Sequence, residues 1–448
     1  MTPTGSSGAT LEERARKRIN RRLLPFLFIL YIIAFLDRIN IGFAGLDMTR
    51  ELGFSDKVFG FGAGIFFFGY VLLEIPGTLL VELWSARKWT ARIMISWGVV
   101  AALTGFVRTA GQFYWARFLL GVAEAGFFPG LIVYLTHWYR DQDRAKAMGT
   151  FLSATVVAAL IGGPLSGLLM QIHWLGLSGW RWLLILEGLP AVIFGIATIF
   201  YLTDRPQDAD WLPGDEKEWI ANELAREKQL HAQGPKVSVW QVFRHPYVIL
   251  LTLVYFFGNA AQYGFGLFLP KLIQKLSGFS TFEVAMIAAI PFLVALPAML
   301  AVGWSSDRSG ERRWHTAAAY IVAGAGLAGS LLTGPRIVTG MIMFSIAAIG
   351  LNARLPAFWA LPHSFLEGAP AAASIGAINC FGGLGGFFGP YLLGALSTAA
   401  GNYNGGVWYL TGACLVAAVL VLLVRVSQRG ARQGTGTDAQ YLLANLDP

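Results

Sequence analysis

The chain has 448 residues, of which 55% are hydrophobic and 13% charged, and it carries a net charge of +8. Soluble domains carry about 25% charged residues, so this composition excludes a water-soluble enzyme or binding module as the body of the molecule. The two cysteines, Cys380 and Cys414, lie in apolar stretches and imply no disulfide framework.

In chain order, a polar Ser/Gly opening with no cleavable leader pattern is followed by a basic run over residues 13–22. Lying directly before an apolar stretch, that run reads as a stop against a membrane rather than a nucleic-acid patch. Apolar stretches then recur near 24–46, 58–81, 92–110, 113–136, 147–170, 181–203, 247–270, 283–304, 315–333, 338–360, 371–397 and 405–425. Each is long enough to cross a hydrocarbon core of ~30 Å, which predicts an all-α membrane protein with twelve transmembrane helices. A polar interruption at 204–246 divides them into two sets of six. The expected organisation is a basic tail (1–23), a six-helix bundle (24–203), a linker (204–246), a second bundle (247–425) and a tail (426–448). Within the linker, a turn at Thr203-Asp204-Arg205-Pro206 precedes a helix with a narrow apolar face of Trp219, Ile220 and Leu224. A second amphipathic stretch is expected at 239–243.

Orientation follows the basic residues. Alternate connections hold Arg87, Lys88 and Arg92, then Arg140, Arg144 and Lys146, then Arg308, Arg312 and Arg313, and finally Arg425, Arg429 and Arg432. The opposite connections hold few: Arg50, Lys57, Arg108, Arg181, Lys271, Lys275 and Arg336. Both termini are therefore expected in the cytoplasm, and the positive net charge reflects topology rather than nucleic acid.

Charge inside the apolar stretches is the functional signal. A charged side chain in hydrocarbon costs roughly 2.5–3.5 kcal/mol on insertion scales, so such groups face a polar interior and carry function. The first stretch holds Asp37-Arg38, and the fourth holds Arg117 and Glu124. Arg117, Gly121 and Glu124 fall at i, i+4 and i+7, one face of a helix. Arginines hold anions and buried carboxylates hold protons, so the combination points to proton-linked carriage of an organic anion. Arg354 is a further charge within Ile349–Pro356. It either offers a second guanidinium to the cavity, which would favour a substrate with two acidic ends, or pairs locally. Glu74 and Glu187 are other intramembrane acids, the latter expected to be structural. His137, His173 and His363 fit no metal spacing and no activated nucleophile is visible, so neither a cofactor nor an enzyme is expected.

Several motifs carry a family resemblance. Gly303-Trp304-Ser305-Ser306-Asp307-Arg308-Ser309-Gly310-Glu311-Arg312-Arg313 resembles the G-x-x-x-D-R-x-G-x-R-R loop of the major facilitator superfamily. Its counterpart in the first half retains Glu82 and the basic pair Arg87-Lys88. Asp37-Arg38-Ile39-Asn40 and the Arg117…Gly121…Glu124-Ala125 pattern resemble the anion:cation symporter branch, as in bacterial tartrate, phthalate and hydroxyphenylacetate carriers and fungal allantoate permeases. The resemblance implies two pseudo-symmetric six-helix bundles around a cavity, in a monomer of the cytoplasmic (inner) membrane. It implies proton coupling at Asp37 and Glu124 and substrate contact at Arg38, with Arg117 pairing Glu124 or substrate. Tyr70, Gln262, Tyr263 and Asn379 would line the cavity. Glu82, Arg87, Asp307, Arg308, Arg312 and Arg313 would form a conformational gate. Gly383 stands where many relatives carry Asn, which removes a hydrogen bond to a hydroxylated substrate. The expected function is proton-driven uptake of a small organic anion, with a proton-antiporting exporter of drugs or metabolites as the alternative.

Overall fold

Lipid offers no partner to a backbone N–H or C=O, so apolar stretches of membrane length fold as helices that satisfy themselves. The structure, a computed structural model, describes residues 10–232, 244–334, 336–364 and 368–424, and all regular structure among them is helical. The first three spans are Leu11–Leu52, Asp56–Leu83 and Ala86–Thr104. The fourth runs as Ala110–Glu124 and Phe127–Thr136, the fifth as Asp141–Leu152 and Ala154–Leu169, and the sixth is Gly179–Tyr201. The seventh is Pro246–Ser277, the eighth Thr281–Ile287 with Ile290–Ser309, the ninth Arg313–Leu332 and the tenth Ile337–Ala360. The eleventh runs as Gly368–Gly383 and Gly385–Ala400, and the twelfth is Asn404–Leu422.

Eleven of these meet a simple criterion of length and apolarity. The exception is the third, whose first turns carry Arg87, Lys88 and Arg92. It is nonetheless a core helix, with Met94, Trp97 and Ala101 buried. Small residues let it pack closely on the sixth span, where a Cβ on Gly98 would meet the Gly188 carbonyl.

The first helix begins at Leu11, well before the apolar stretch, with Thr10 and Glu13 forming a capping box. The basic run is therefore helical rather than a flanking tail. Arg14, Arg16 and Arg18 pair with Asp215, Asp143 and Glu216 at 3.2, 3.4 and 2.9 Å. The linker helix Gly214–Ala232 lies against this extension with Ile220 buried and Trp219 and Leu224 packed beside it. Arg140 joins the same network through Glu12 and through Asp143 at 2.8 Å. Residues 239–243 and Arg425, Arg429 and Arg432 lie outside the described residues.

The two sets of spans meet most tightly at the end opposite the N-terminal helix extension. There the second span packs on the eleventh so closely that a Cβ on Gly60 would strike the Pro390 carbonyl. Polar ties join the halves at the same end. Lys271 binds Asp56 at 2.6 Å, Thr281 donates to Asp47 at 3.0 Å, and the Lys57 amide donates to the Thr398 hydroxyl at 2.8 Å. At the other end no ion pair joins the halves among the described residues. The molecule is thus closed at one end of its central seam.

Candidate functional site

The site begins with two adjacent residues of the first span. Successive helical residues are rotated by about 100°, so Asp37 and Arg38 address different neighbours. Asp37 is buried and accepts from the Trp97 indole N–H at 3.1 Å and from the Asn40 amide at 3.2 Å. Arg38 reaches the fourth span and donates through Nη2 to Glu124 Oε1. Its guanidinium lies 5.4 Å from the Tyr70 ring centroid and 5.6 Å from that of Phe66. Tyr70 and Phe66 supply an aromatic wall that attracts cations without neutralising them.

Glu124 is positioned by a break in its own helix. The fourth span ends its first segment at Glu124, and Gly126 adopts φ +83° before the helix resumes at Phe127. A left-handed backbone at this point is open to glycine at little cost. The break leaves Glu124 on a terminal turn, with its side chain 1% exposed.

Arg117 shares the buried core of this site, 5.2 Å from Phe66 and close enough to Asp37 and Glu124 for their charges to interact. Of the two arginines, it is Arg38 that takes Glu124 as its ion-pair partner; Arg117 has no ion pair within 4 Å among the described residues. Buried Arg38 Nε, Arg117 Nε, Glu124 Oε2, Asn40 Oδ1 and Gln262 Oε1 all lack a protein hydrogen-bond partner. Buried polar atoms are normally satisfied, so these are atoms to which a polar group entering the site could bond.

The opposite wall comes from the second half. Tyr263 packs its ring 4.5 Å from that of Phe67, with Gln262 beside it in the seventh span. Asn379 of the eleventh span donates to Glu74 Oε1 at 2.6 Å and accepts from the Tyr255 hydroxyl at 3.4 Å. Arg354 is 1% exposed, 5.9 Å from the Tyr255 ring and 5.2 Å from that of Tyr320. It therefore sits inside the second bundle against Tyr255. Neither a backbone carbonyl nor an acid takes its Nε or Nη1.

The loop residues expected to gate the seam hold their own halves together. Asp204 accepts from the Ser85 hydroxyl at 2.7 Å and from the Arg87 amide at 2.8 Å. Asp307 takes Arg312 at 2.6 Å, Arg313 donates to the Val424 carbonyl at 2.7 Å, and Arg308 lies over Trp304. The Glu82 side chain lies outside the described residues. Glu187 accepts from Ser166 at 3.2 Å and lies close enough to Asp37 and Asn40 to interact with both. Trp97, Tyr255 and Asp204 contact the candidate residues Asp37, Asn379 and Arg87, and sequence reasoning did not single them out. An indole or phenol in an apolar helix has no periodicity that separates cavity from core.

Among the described residues, twelve helical spans, eleven of them long and apolar enough to cross a membrane, surround a seam lined by buried charges, the architecture of a multi-pass membrane protein. The family model described as Major Facilitator Superfamily matches residues 27–390, and the chain belongs to that superfamily. The "Putative tartrate transporter" of Agrobacterium vitis is 43% identical over 416 residues, 92% of this chain and 95% of that protein. The "Quinolone resistance transporter" of Acinetobacter baumannii is 35% identical over 415 residues, again 92% of this chain and 95% of that protein. The crystal structure of D-xylose-proton symporter superposes with a TM-score of 0.70 over 91% of this chain and 98% of that one. At 15% sequence identity that likeness speaks for the fold alone.

Proposed function

We propose that the protein is a proton-coupled symporter that takes up a small organic anion of the tartrate kind. The observation that carries this reading is the buried pairing of Arg38 with Glu124. A substrate carboxylate and the Glu124 carboxylate compete for one guanidinium, and protonating Glu124 removes the competitor. Each ligand then changes the affinity for the other by the same factor, which is coupling by linkage. Asp37, held by Trp97 and Asn40, is the second proton carrier. Arg117, Tyr70, Gln262, Tyr263 and Asn379 complete the substrate site, and Arg354 supports it through Tyr255.

The cycle follows from the seam. The termini lie in the cytoplasm, as the distribution of arginine and lysine argues, and the protein is a monomer of the inner membrane. The closed end then faces outward, with the bundles 24–203 and 247–425 rocking about the site and 204–246 as a surface linker. In the opposite state, Glu82, Arg87, Asp307, Arg308, Arg312 and Arg313 close the cytoplasmic end. Asp37 and Glu124 take protons outside, Arg38 receives the anion, the bundles rock, and the protons leave inside.

The name of the Acinetobacter relative favours a second reading, an exporter of drugs or metabolites. Purified protein in liposomes separates the two. Uptake of labelled tartrate, competed by phthalate or hydroxyphenylacetate and not by a neutral sugar, supports the symporter. No anion uptake, with efflux of cationic dyes, replaces it with the exporter.

A further inference from the structure

The cycle above uses Asp37 and Glu124 and leaves a third buried acid without a task. Glu74 lies in the second span with 5% of its surface exposed, and its Oε1 accepts the Asn379 amide of the other half at 2.6 Å. This is a direct side-chain bond across the seam, at the residue that the proposed site offers to substrate. Asn379 is engaged on its other atom by the hydroxyl of Tyr255, whose ring lies 5.9 Å from the Arg354 guanidinium. A carboxylate from the protein thus occupies the amide that a substrate's second polar group would reach. The arrangement repeats the one in the first half, where Glu124 occupies Arg38.

We propose that Glu74 is a proton-binding residue of the transport cycle that holds the substrate's distal seat on Asn379 in the empty carrier. This rests on the symporter reading above. Binding a proton on a Glu74 oxygen gives a neutral carboxyl that accepts more weakly from the amide, and charge-assisted hydrogen bonds are roughly twice as strong as neutral ones. Asn379 then turns to the anion. Deprotonation toward the cytoplasm restores the Glu74–Asn379 bond and expels the anion's distal end. Among the described residues, Tyr70 on the same helix, Arg38 from the first span, Tyr255 from the seventh and Cys380 from the eleventh are titratable or charged groups facing Glu74. Glu124 holds Arg38 of the first half and Glu74 holds Asn379 of the second, so the two acids act on one substrate through partners on different sides of the seam. The preferred substrate is accordingly one with polar groups at both ends, a hydroxylated or plain dicarboxylate rather than a simple monocarboxylate.

The test is the proton-to-anion ratio of purified carrier in liposomes, read from the pH gradient that exactly balances a known tartrate gradient, for wild type and Glu74→Gln. The glutamine keeps an acceptor for Asn379 and cannot take the proton. Glu74→Gln should retain tartrate counterflow while its ratio falls by about one and the slope of log KM against pH flattens by about one. An unchanged ratio and slope overturn the proposal while leaving the symporter intact. Should wild type itself show no proton-driven anion uptake, it is the symporter reading that has failed. If Glu74→Gln is not recovered folded, Asn379→Ser reads the same contact from the other side. It should raise the tartrate KM on the order of tenfold and flatten its pH slope by the same amount, and an unaltered slope counts against Glu74.

Discussion

At the scale of single residues, the proposed site gathers charges carried within the spans, of which Arg38 is paired with Glu124. Removing one partner of a buried ion pair typically costs about 3–5 kcal/mol, because the other charge is left buried alone. Arg38→Ala leaves the fully buried Glu124 alone and is therefore expected to lower the thermal transition of the purified protein markedly, whereas Glu124→Gln keeps a carbonyl acceptor for the part-exposed Arg38 and should fold and still exchange substrate. Counterflow without accumulation in Glu124→Gln is the expected outcome; full accumulation in that variant would remove Glu124 from coupling. Trp97→Phe takes one donor from buried Asp37 while keeping an aromatic ring, a loss of about 1–3 kcal/mol visible in the same thermal scan. Asp37, Arg38, Arg117 and Glu124 were legible in the sequence because charge is rare in apolar stretches. Their pairing was not, since Arg117 and Arg38 are both within chemical reason for Glu124 and only packing chooses. Trp97 and Tyr255 were illegible for the opposite reason: aromatic rings are as common in a membrane core as in a cavity.

At the scale of elements, broken helices place the chemistry. Gly126 carries φ +83° one residue beyond the Glu124-Ala125 pair, and a Cβ there costs roughly 1–2 kcal/mol. Gly126→Ala should thus reduce both stability and transport, and a variant with wild-type uptake would show that the break is dispensable. The apolar stretches announced nearly every span, since length and hydropathy are all a membrane helix needs. The ends were less legible. The first helix runs back to Leu11 because acids of the linker helix and of Asp143 answer its arginines, a tertiary effect that no local window contains. In the same way, the basic loop at Arg87 is tied to Asp204, a residue the sequence offered merely as part of a turn.

For the whole molecule, the two sets of spans meet closely at one end of the seam. The Asp56–Lys271 pair and the close approach of the second and eleventh spans hold that closure. Asp56→Asn should shift the population toward the state open at this end, by on the order of tenfold for each 1.4 kcal/mol of closure lost. Buried Cys380 on the seam is a built-in reporter, read in a Cys414→Ser background. A thiol reagent applied from the closed side should modify Cys380 faster in Asp56→Asn, and an unchanged rate would mean that other contacts hold the end shut. The central claim, proton-driven entry of an organic anion, is tested most directly by tartrate accumulation in liposomes under an imposed inward proton gradient. The account predicts accumulation above the external concentration that collapses when a protonophore is added. Uptake that is indifferent to the gradient and to the protonophore would contradict it.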